Sequence, residues 1–229
     1  MSRSSPWVAL LLVTTLSCGT DPSGQPTTTL TGVARDYDLG GTSQLPGASV
    51  AILEQPTRTT LADASGGFSF TDLSPADSIR LVVTATNYRE TINPIRRVGN
   101  GTLNGDAAAA SATFVGNQYA LVGVTPATGT AMVIVRLEDA QGNPRTGIPL
   151  ADIVLLDQNQ APAGIGPYIF GANGLDNTLV LTAAFGGVSR VAFLDVPPGN
   201  YTLRLVLLGG TALLRPVAAR SNGVTLVVR

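Results

Sequence analysis

The sequence predicts an all-β protein made of two β-sandwiches in tandem, preceded by an export signal. From residue 30 onward, short apolar stretches alternate with turns rich in Gly, Pro, Asp and Asn, as is typical of strands joined by tight turns. The phrase FTDLSPADSIRL (residues 70–81) returns in altered form as FLDVPPGNYTLRL (residues 193–205). A turn-and-strand pattern that occurs twice in one order predicts two related units. Hydrophobic residues make up 44% of the chain, which is enough for two cores.

The first seventeen residues are predicted to be a signal peptide. Arg3 supplies a positive charge, and WVALLLVTTL (residues 7–16) supplies a short apolar segment. That segment is shorter than the ~20 apolar residues that a membrane-spanning helix needs, but it suits a cleaved signal.

Cys18 is the only cysteine, and it lies where cleavage would occur. The sequence TLSC (residues 15–18) resembles a bacterial lipobox, with Thr15 in a place usually held by Leu. Acylation of Cys18 would anchor the exported protein in a membrane and would account for a lone thiol. The alternative is an ordinary secretory signal with an incidental cysteine. Gly19, rather than Asp, favours the outer membrane. Residues 18–29 read as a linker, rich in Pro, Ser, Gly and Thr.

The first sandwich is expected at residues 30–98, with Asp63 and Gly66 forming a hairpin turn. Its strands are predicted at residues 30–35, 48–53, 58–62, 68–71, 79–85 and 88–96. The second sandwich is expected at residues 130–229. Its strands are predicted at residues 132–137, 152–156, 178–183, 189–193, 201–208 and 223–228. Residues 99–129 between them are either an Ala- and Gly-rich linker or a short helix capped by Asp106.

Three stretches resemble the carboxypeptidase regulatory-like domain. They are LPGASVAI (residues 45–52), DASGGFSF (residues 63–70) and VPPGNYTL (residues 196–203). The resemblance implies two tandem transthyretin-like, or Ig-like, β-sandwiches that cover most of the chain. The first copy departs from the pattern at Ala76, where a turn Gly is usual, and the second lacks a clear D-x-x-G hairpin. Because these motifs specify turns and core positions, they imply a fold and no activity.

The second unit carries an insertion at about residues 158–177. Gly47 to Phe70 spans 23 residues, whereas Gly147 to Phe193 spans 46. Long surface insertions often carry binding groups. The candidate ligand-binding residues there are Tyr168, Phe170, Asn173 and Asp176, which could stack on or hydrogen-bond a sugar or peptide. The alternative is an extra hairpin whose aromatic rings pack on its own sandwich.

Composition excludes most catalytic chemistry. The chain has no His, and all fourteen of its basic residues are Arg. A Ser-His-Asp triad, a His-ligated metal and a catalytic Lys are therefore impossible. We predict no enzyme activity and no cofactor. Asp36, Asp38 and Asp63 could approach one another, but they are too few to predict a calcium site, so no metal is expected.

The net charge of −1 and the lack of any run of basic residues argue against nucleic acid as a partner. We expect the membrane, through Cys18, and an envelope protein or glycan instead. Two functions fit. The chain is a lipid-anchored envelope protein for display, adhesion or protein docking, or it is a carbohydrate- or peptide-binding module that uses residues 158–177.

Overall fold

The chain forms eighteen β-strands and one α-helix within residues 27–37, 43–171, 173–176, 188–207 and 209–228, the part that this computed structural model describes. The predicted all-β class is confirmed. The strands before the helix are β1 (Thr28–Asp36), β2 (Ser49–Ile52), β3 (Gln55–Leu61), β4 (Gly67–Leu73), β5 (Ser78–Ile79), β6 (Leu81–Thr84), β7 (Thr91–Ile92), β8 (Arg96–Arg97), β9 (Thr102–Asn104) and β10 (Ala107–Ala109).

The helix α1 spans Ala112–Leu121. It is followed by β11 (Ala131–Leu137), a 3-10 turn (Leu150–Asp152), β12 (Ile153–Leu156), β13 (Ile165–Gly171), β14 (Gly174–Asp176), β15 (Ser189–Val196), β16 (Gly199–Val206), β17 (Ala212–Ala219) and β18 (Val224–Val228). The predicted insertion at residues 158–177 thus contains an extra hairpin, in which β13 and β14 pair antiparallel.

One nine-stranded sheet runs through both halves of the chain in the order β14-β13-β15-β11-β18-β7-β6-β2-β3. Strand β18 joins the halves, because it lies parallel to β11 on one side and to β7 on the other. Val224 and Thr225 are the β18 residues that pair with Thr91 and Ile92. We call this β7–β18 junction the seam. The expected tandem units therefore share a sheet.

Smaller sheets accompany the large one. Strands β10, β1 and β4 form one of them, with β9 also parallel to β1, and β12, β16 and β17 form another. Each half has its own buried cluster, one drawn from residues 30–109 and the other from residues 131–227. The domain boundaries and the relation between the two units stay a prediction.

A third cluster, which we call the helix core, lies between α1 and the outer face of the large sheet. Val115 and Tyr119 of α1 pack there with residues of five strands and their neighbours. The other buried members are Ala110, Met132, Ile134, Phe170, Leu175, Ala192, Leu194, Val224 and Leu226. Alternate residues of β11 thus face different cores, since Val133 and Val135 belong to the second half's own cluster. Both faces of β11 are covered, which explains its continuous apolar run.

The repeated phrase has a structural counterpart. Asp72 and Asp195 both have positive φ, at 54° and 49°, and both lie in a bulge. In each case the register with the partner strand shifts by one residue just after the Phe of the phrase. A bulge bends and twists its strand, so the same bend is built twice.

The segment predicted as a linker or short helix contains two strands and a helix. Residues 102–109 form β9 and β10 beside β1, and the helix starts later, after Ser111. Asp106 is not its N-cap, because its carboxylate instead accepts hydrogen bonds from Val33 N and Arg35 Nε. The cap is Ser111, whose Oγ accepts from Phe114 N at 3.0 Å.

The predicted hairpin turn is present, since Asp63 Oδ1 accepts hydrogen bonds from the backbone N–H groups of Ser65 and Gly67. Several predictions lie outside the described residues: the signal peptide, Cys18, most of the 18–29 linker, the strand at 178–183, and Asp38. Within the part that is described, no helix is long and apolar enough to cross a membrane.

Candidate functional site

The four residues predicted to bind a ligand in the insertion do not form one exposed group. Phe170 is 3% exposed and stacks on Phe114 of α1, with ring centroids 6.4 Å apart and planes 6° from parallel. Tyr168 is partly buried against the same helix core. Asn173 is exposed in the turn, and Asp176 is partly buried at the end of β14. Phe170 therefore fits the alternative in which the aromatic rings of the insertion are packed in a core.

A more concave site lies where the two halves meet. The seam ends at Ile92, and Pro94 follows two residues later without a backbone N–H to donate to β18. Beyond that point β18 and residues 93–96 line opposite parts of a cleft of about 330 Å³. We call it the arginine cleft. Both halves contribute to its wall, and its charged lining residues are Arg35, Asp36, Arg96, Asp106, Arg136 and Arg190.

Arg136 and Arg190 lie directly opposite each other in the register of β11 and β15. Like charges at directly opposite positions destabilise a sheet. Arg136 also donates to Glu138 through Nη2, while its side chain is 47% exposed. The two arginines therefore both belong to the lining of the cleft.

Arg35 and Arg96 approach from the first half and meet at Asp106. Arg35 Nε lies 2.6 Å from Asp106 Oδ2, and Arg96 Nη2 donates to the backbone carbonyl of Asp106. Gly105 allows this, because a Cβ at that position would lie 2.9 Å from Arg96 Nη1. Burial lowers the pKa of Arg96, and the charge of Asp106 acts in the opposite direction. The guanidinium still carries its charge at neutral pH.

Tyr37 lines the cleft beside Arg190. Its ring lies 5.7 Å from Arg190 Cζ and edge-on to Phe114, at 5.7 Å between centroids. Burial raises the pKa of Tyr37, although Arg190 and Arg136 partly counter that rise. The ring stays neutral at physiological pH, so its face is available for a cation–π contact with Arg190.

Carboxylates and apolar groups complete the lining. Asp36 accepts a hydrogen bond from Tyr88 Oη at 3.2 Å, and Ile134, Pro94 and Leu226 form an apolar part of the wall. The cleft thus combines hydrogen-bond donors, acceptors and an apolar surface. The described residues contain no group of three or more His, Cys, Asp or Glu side chains that could hold a metal. This arrangement has the donors that an anion needs.

Sequence reasoning missed this site because the four arginines are separated by up to 155 positions. One signal was present in the pattern. Met132, Ile134 and Arg136 occupy the same face of β11, and the first two are buried. A charged residue that continues an inward-facing series is a reason to expect a polar site there.

Similarity to solved structures is weak. The structure resembles the Bacillus anthracis TIE protein (10% identity, TM-score 0.28), with 89% of this chain covering 33% of that one. It resembles a streptococcal ancillary pilin (16% identity, TM-score 0.27; 91% of this chain, 62% of that one). It also resembles GBS52, the minor pilin of Streptococcus agalactiae (11% identity, TM-score 0.27; 88% of this chain, 94% of that one).

The chain therefore spans less than two thirds of the first two of these proteins. TM-scores this low support no conclusion about function. No family model and no curated protein matches the sequence. The carboxypeptidase regulatory-like assignment thus stays a prediction that rests on its quoted motifs.

Proposed function

We propose that this protein is a non-catalytic envelope protein, held at a membrane by a lipid on Cys18, whose β-sandwich units serve display, adhesion or protein docking. The observation that carries the proposal is the seam, supported by the helix core. A spacer or docking module has to hold its binding surfaces at a fixed separation, and a shared sheet does this better than a flexible linker.

Several contacts support a rigid relationship between the halves. Glu90 and Arg220 form an ion pair at 2.9 Å next to the seam, and Val224 N donates to the Glu90 carbonyl. Asn93 bridges on the first half's side, donating to the Ala108 carbonyl and accepting from Ala108 N. Tyr37 and Ala108 also pack against the helix core. Polar and apolar contacts thus act at the same junction.

The chemistry supports a role without catalysis. Imidazole and amine groups, which usually act as a general base or nucleophile near neutral pH, are missing from the whole sequence. Glu54, Glu90 and Glu138 each pair with an arginine.

The alternative of a glycan or peptide site at residues 158–177 is less well supported. Phe170 is unavailable to a ligand because it lies beneath the sheet edge and stacks on Phe114. Tyr168, Asn173 and Asp176 remain as candidates, of which Asn173 is exposed and the other two are partly buried.

The anchor is tested by Cys18→Ser. We expect this variant to leave the membrane pellet and to lose labelling by an alkynyl fatty acid, because the thiol is the acceptor. Ser23→Ala, in the adjoining linker, is the matched control and should be labelled and retained like the parent. A parent protein that pellets with membranes but takes up no label would contradict the anchor. Turnover of any substrate by purified protein would contradict the non-catalytic role.

A further inference from the structure

We propose that Asn100 is a site of spontaneous covalent modification, at which the side-chain amide is lost through a succinimide to give aspartate and isoaspartate. The sequence contains four Asn-Gly pairs, which begin at Asn100, Asn104, Asn173 and Asn222. An Asn-Gly pair favours this reaction, because Gly has no Cβ to hinder the approach of its backbone nitrogen to the Asn side chain. The structure selects the first pair. This inference does not depend on acylation of Cys18.

The reaction needs only water and a base from the solvent. The backbone nitrogen of Gly101 loses its proton and attacks Cγ of Asn100, the side-chain nitrogen leaves as ammonia, and a cyclic imide forms. Water then adds to one of the two imide carbonyls and opens the ring to aspartate or isoaspartate. In sum, water is consumed, ammonia is released, and an amide becomes a carboxylic acid. The product carries an added negative charge.

The exposure of the glycine distinguishes the four pairs. All four asparagines are exposed, so their own exposure does not discriminate. Gly101 is also exposed, whereas Gly105, Gly174 and Gly223 are buried. A Cβ at Gly101 would meet nothing within 4 Å, but one at Gly174 would lie 2.5 Å from Leu121 Cδ1. Solvent base can therefore reach the nitrogen of Gly101, and that nitrogen has room to move toward the side chain.

Pairing with neighbouring strands holds two of the other pairs. Gly105 N donates to the Thr31 carbonyl at 2.8 Å, and Asn104 Oδ1 accepts from Thr31 Oγ1 at 2.9 Å. Gly174 lies opposite Gly171 in the β13–β14 hairpin. Attack by either nitrogen requires local unfolding, which keeps the reactive conformation rare.

The Asn222 pair is held in the turn before β18. Gly223 N donates to the Arg220 carbonyl at 3.0 Å, and Asn222 Oδ1 accepts from Gly129 N at 3.2 Å. The surroundings of Asn100 differ. Within the part of the chain that the structure describes, no hydrogen bond holds its side chain or the N–H that follows it.

The position of Asn100 gives the modification a structural consequence. The carbonyl of Gly99 accepts a hydrogen bond from Thr28 Oγ1, and Thr102 pairs with Thr29. The reactive pair therefore lies in a loop between two points that contact β1. Isoaspartate adds a methylene to the backbone between these points, so the modification changes the spacing at the start of β1.

The test is incubation of the purified full chain, in a mild nonionic detergent at mildly alkaline pH, followed by tryptic digestion and mass spectrometry. Cleavage after Arg97 and Arg136 leaves Asn100 and Asn104 in one peptide, so fragment ions compare them directly. Asn100 should deamidate at least about tenfold faster than each of the other three, because those require local opening. The rate at Asn100 should rise with pH, since the attacking nitrogen must lose its proton.

Two controls separate structure from sequence. In guanidinium chloride the four pairs should react at similar rates, because all are Asn-Gly and the folded structure is lost. Asn100→Gln should remove most of the mass gain of the folded protein, since Gln must close a larger ring. Asn117→Gln is the matched control, because Asn117 is exposed in the same tryptic peptide and is not followed by Gly, and it should leave the rate at Asn100 unchanged.

Equal rates at Asn100 and Asn104 in the folded protein would overturn the proposal. So would an Asn100 that stays intact in the folded protein while the denatured chain reacts, because the loop would then be protected. A mass gain that persists in folded Asn100→Gln would place the modification elsewhere and would also overturn it. None of these outcomes bears on membrane anchoring, which the Cys18→Ser experiment tests separately.

Discussion

Asp72 and Asp195 occupy the same left-handed position in matching bulges of the two halves, but their side chains meet different surroundings. Asp195 Oδ1 accepts hydrogen bonds from Tyr119 Oη, Ala127 N and Thr130 Oγ1, at 3.0–3.1 Å. Asp72 Oδ2 accepts one from Thr71 Oγ1 at 2.9 Å. In the second half, Asp195 therefore holds α1 and the loop that follows it. In the first half, the matching Asp72 is exposed.

This difference makes a matched pair of substitutions. Asp195→Ala should lower the free energy of unfolding by about 2–3 kcal/mol, because three donors lose a charged acceptor. Asp72→Ala carries the same backbone penalty at positive φ and should cost roughly 1 kcal/mol. Urea unfolding followed by circular dichroism measures both. Equal losses would mean that the carboxylate of Asp195 contributes nothing beyond its backbone conformation.

Replacement of glycine by alanine should have opposite effects on stability at Gly32 and Gly116. A Cβ at Gly32 would lie 2.1 Å from the Gly105 carbonyl oxygen and 2.7 Å from the ring of Phe68, so Gly32→Ala should destabilise the protein by about 1–3 kcal/mol. Gly116 lies in α1 with open space around it, so Gly116→Ala should stabilise by about 0.5–1 kcal/mol. Thermal unfolding distinguishes them, and a stable Gly32→Ala protein would contradict the close approach of β1 to residue 105.

Burial of Phe170 predicts a structural effect where the sequence predicted a ligand contact. Phe170→Ala should destabilise by about 3–5 kcal/mol, because a buried ring and its stacking on Phe114 are lost. Ile165→Ala, on the same strand, should cost about 1 kcal/mol or less, since Ile165 is 43% exposed. A small effect of Phe170→Ala on the unfolding midpoint would show that this ring is a surface group and is not buried.

Stability should be flat from about pH 5 to 9, since the sequence contains no histidine. Hydrogen bonds from Ser65 and Gly67 lower the pKa of Asp63, and those from Asn143 lower the pKa of Asp139. The stability contributed by these carboxylates is present above the ordinary Asp pKa of about 4 and is lost as the pH falls below it.

At the alkaline end, burial raises the pKa of Tyr119, and the charge of Asp195 adds to that rise. The stability contributed by the neutral phenol is complete below about pH 10 and is lost as the pH rises further. Urea midpoints measured across pH check both limbs. Asp63→Asn with Asp139→Asn should flatten the acid limb, and Tyr119→Phe should reduce the alkaline one, to which Tyr37 also contributes. A midpoint that changes between pH 6 and 8 would contradict this account.

The packed junction predicts that limited digestion with subtilisin spares residues 102–121. Strands β9 and β10 are paired with β1, and α1 is held by the helix core. Cleavage needs several residues of extended, accessible backbone, which these elements do not offer without local unfolding. Mass spectrometry of the first products checks this. Two stable fragments that separate within residues 98–129 would show instead that the halves fold independently.

The sequence predicted the strands well where the cause is local. The Asp63 turn, the alternation in β4 and β16, and the repeated phrase all depend on neighbouring residues, and each is present. It failed where the cause is distant. Ala-rich residues 107–109 form a strand only because β1 offers a parallel edge, and their local composition favours a helix.

The arginine cleft was beyond sequence reasoning for the same physical reason. Arg35, Arg96, Arg136 and Arg190 lie on separate elements, and only the seam brings those elements together. Phe170 follows the packed alternative that the sequence left open. An aromatic residue in a long insertion looks like a surface group until the position of α1, which covers it, is known.

Strand β18 is fifth among the nine strands of the large sheet, although it comes latest in the sequence, and the neighbouring pair Glu90–Arg220 spans 130 positions. During synthesis or export, the strands on both sides of β18 emerge before it. The edges at β11 and β7 then have backbone hydrogen-bonding groups that stay unpaired until β18 arrives. Closing so long a loop is entropically slow. Until it closes, each exposed edge can pair with a strand of another chain. Correct folding therefore requires that copies stay apart until β18 has paired, which is later than the time at which the two separate cores form.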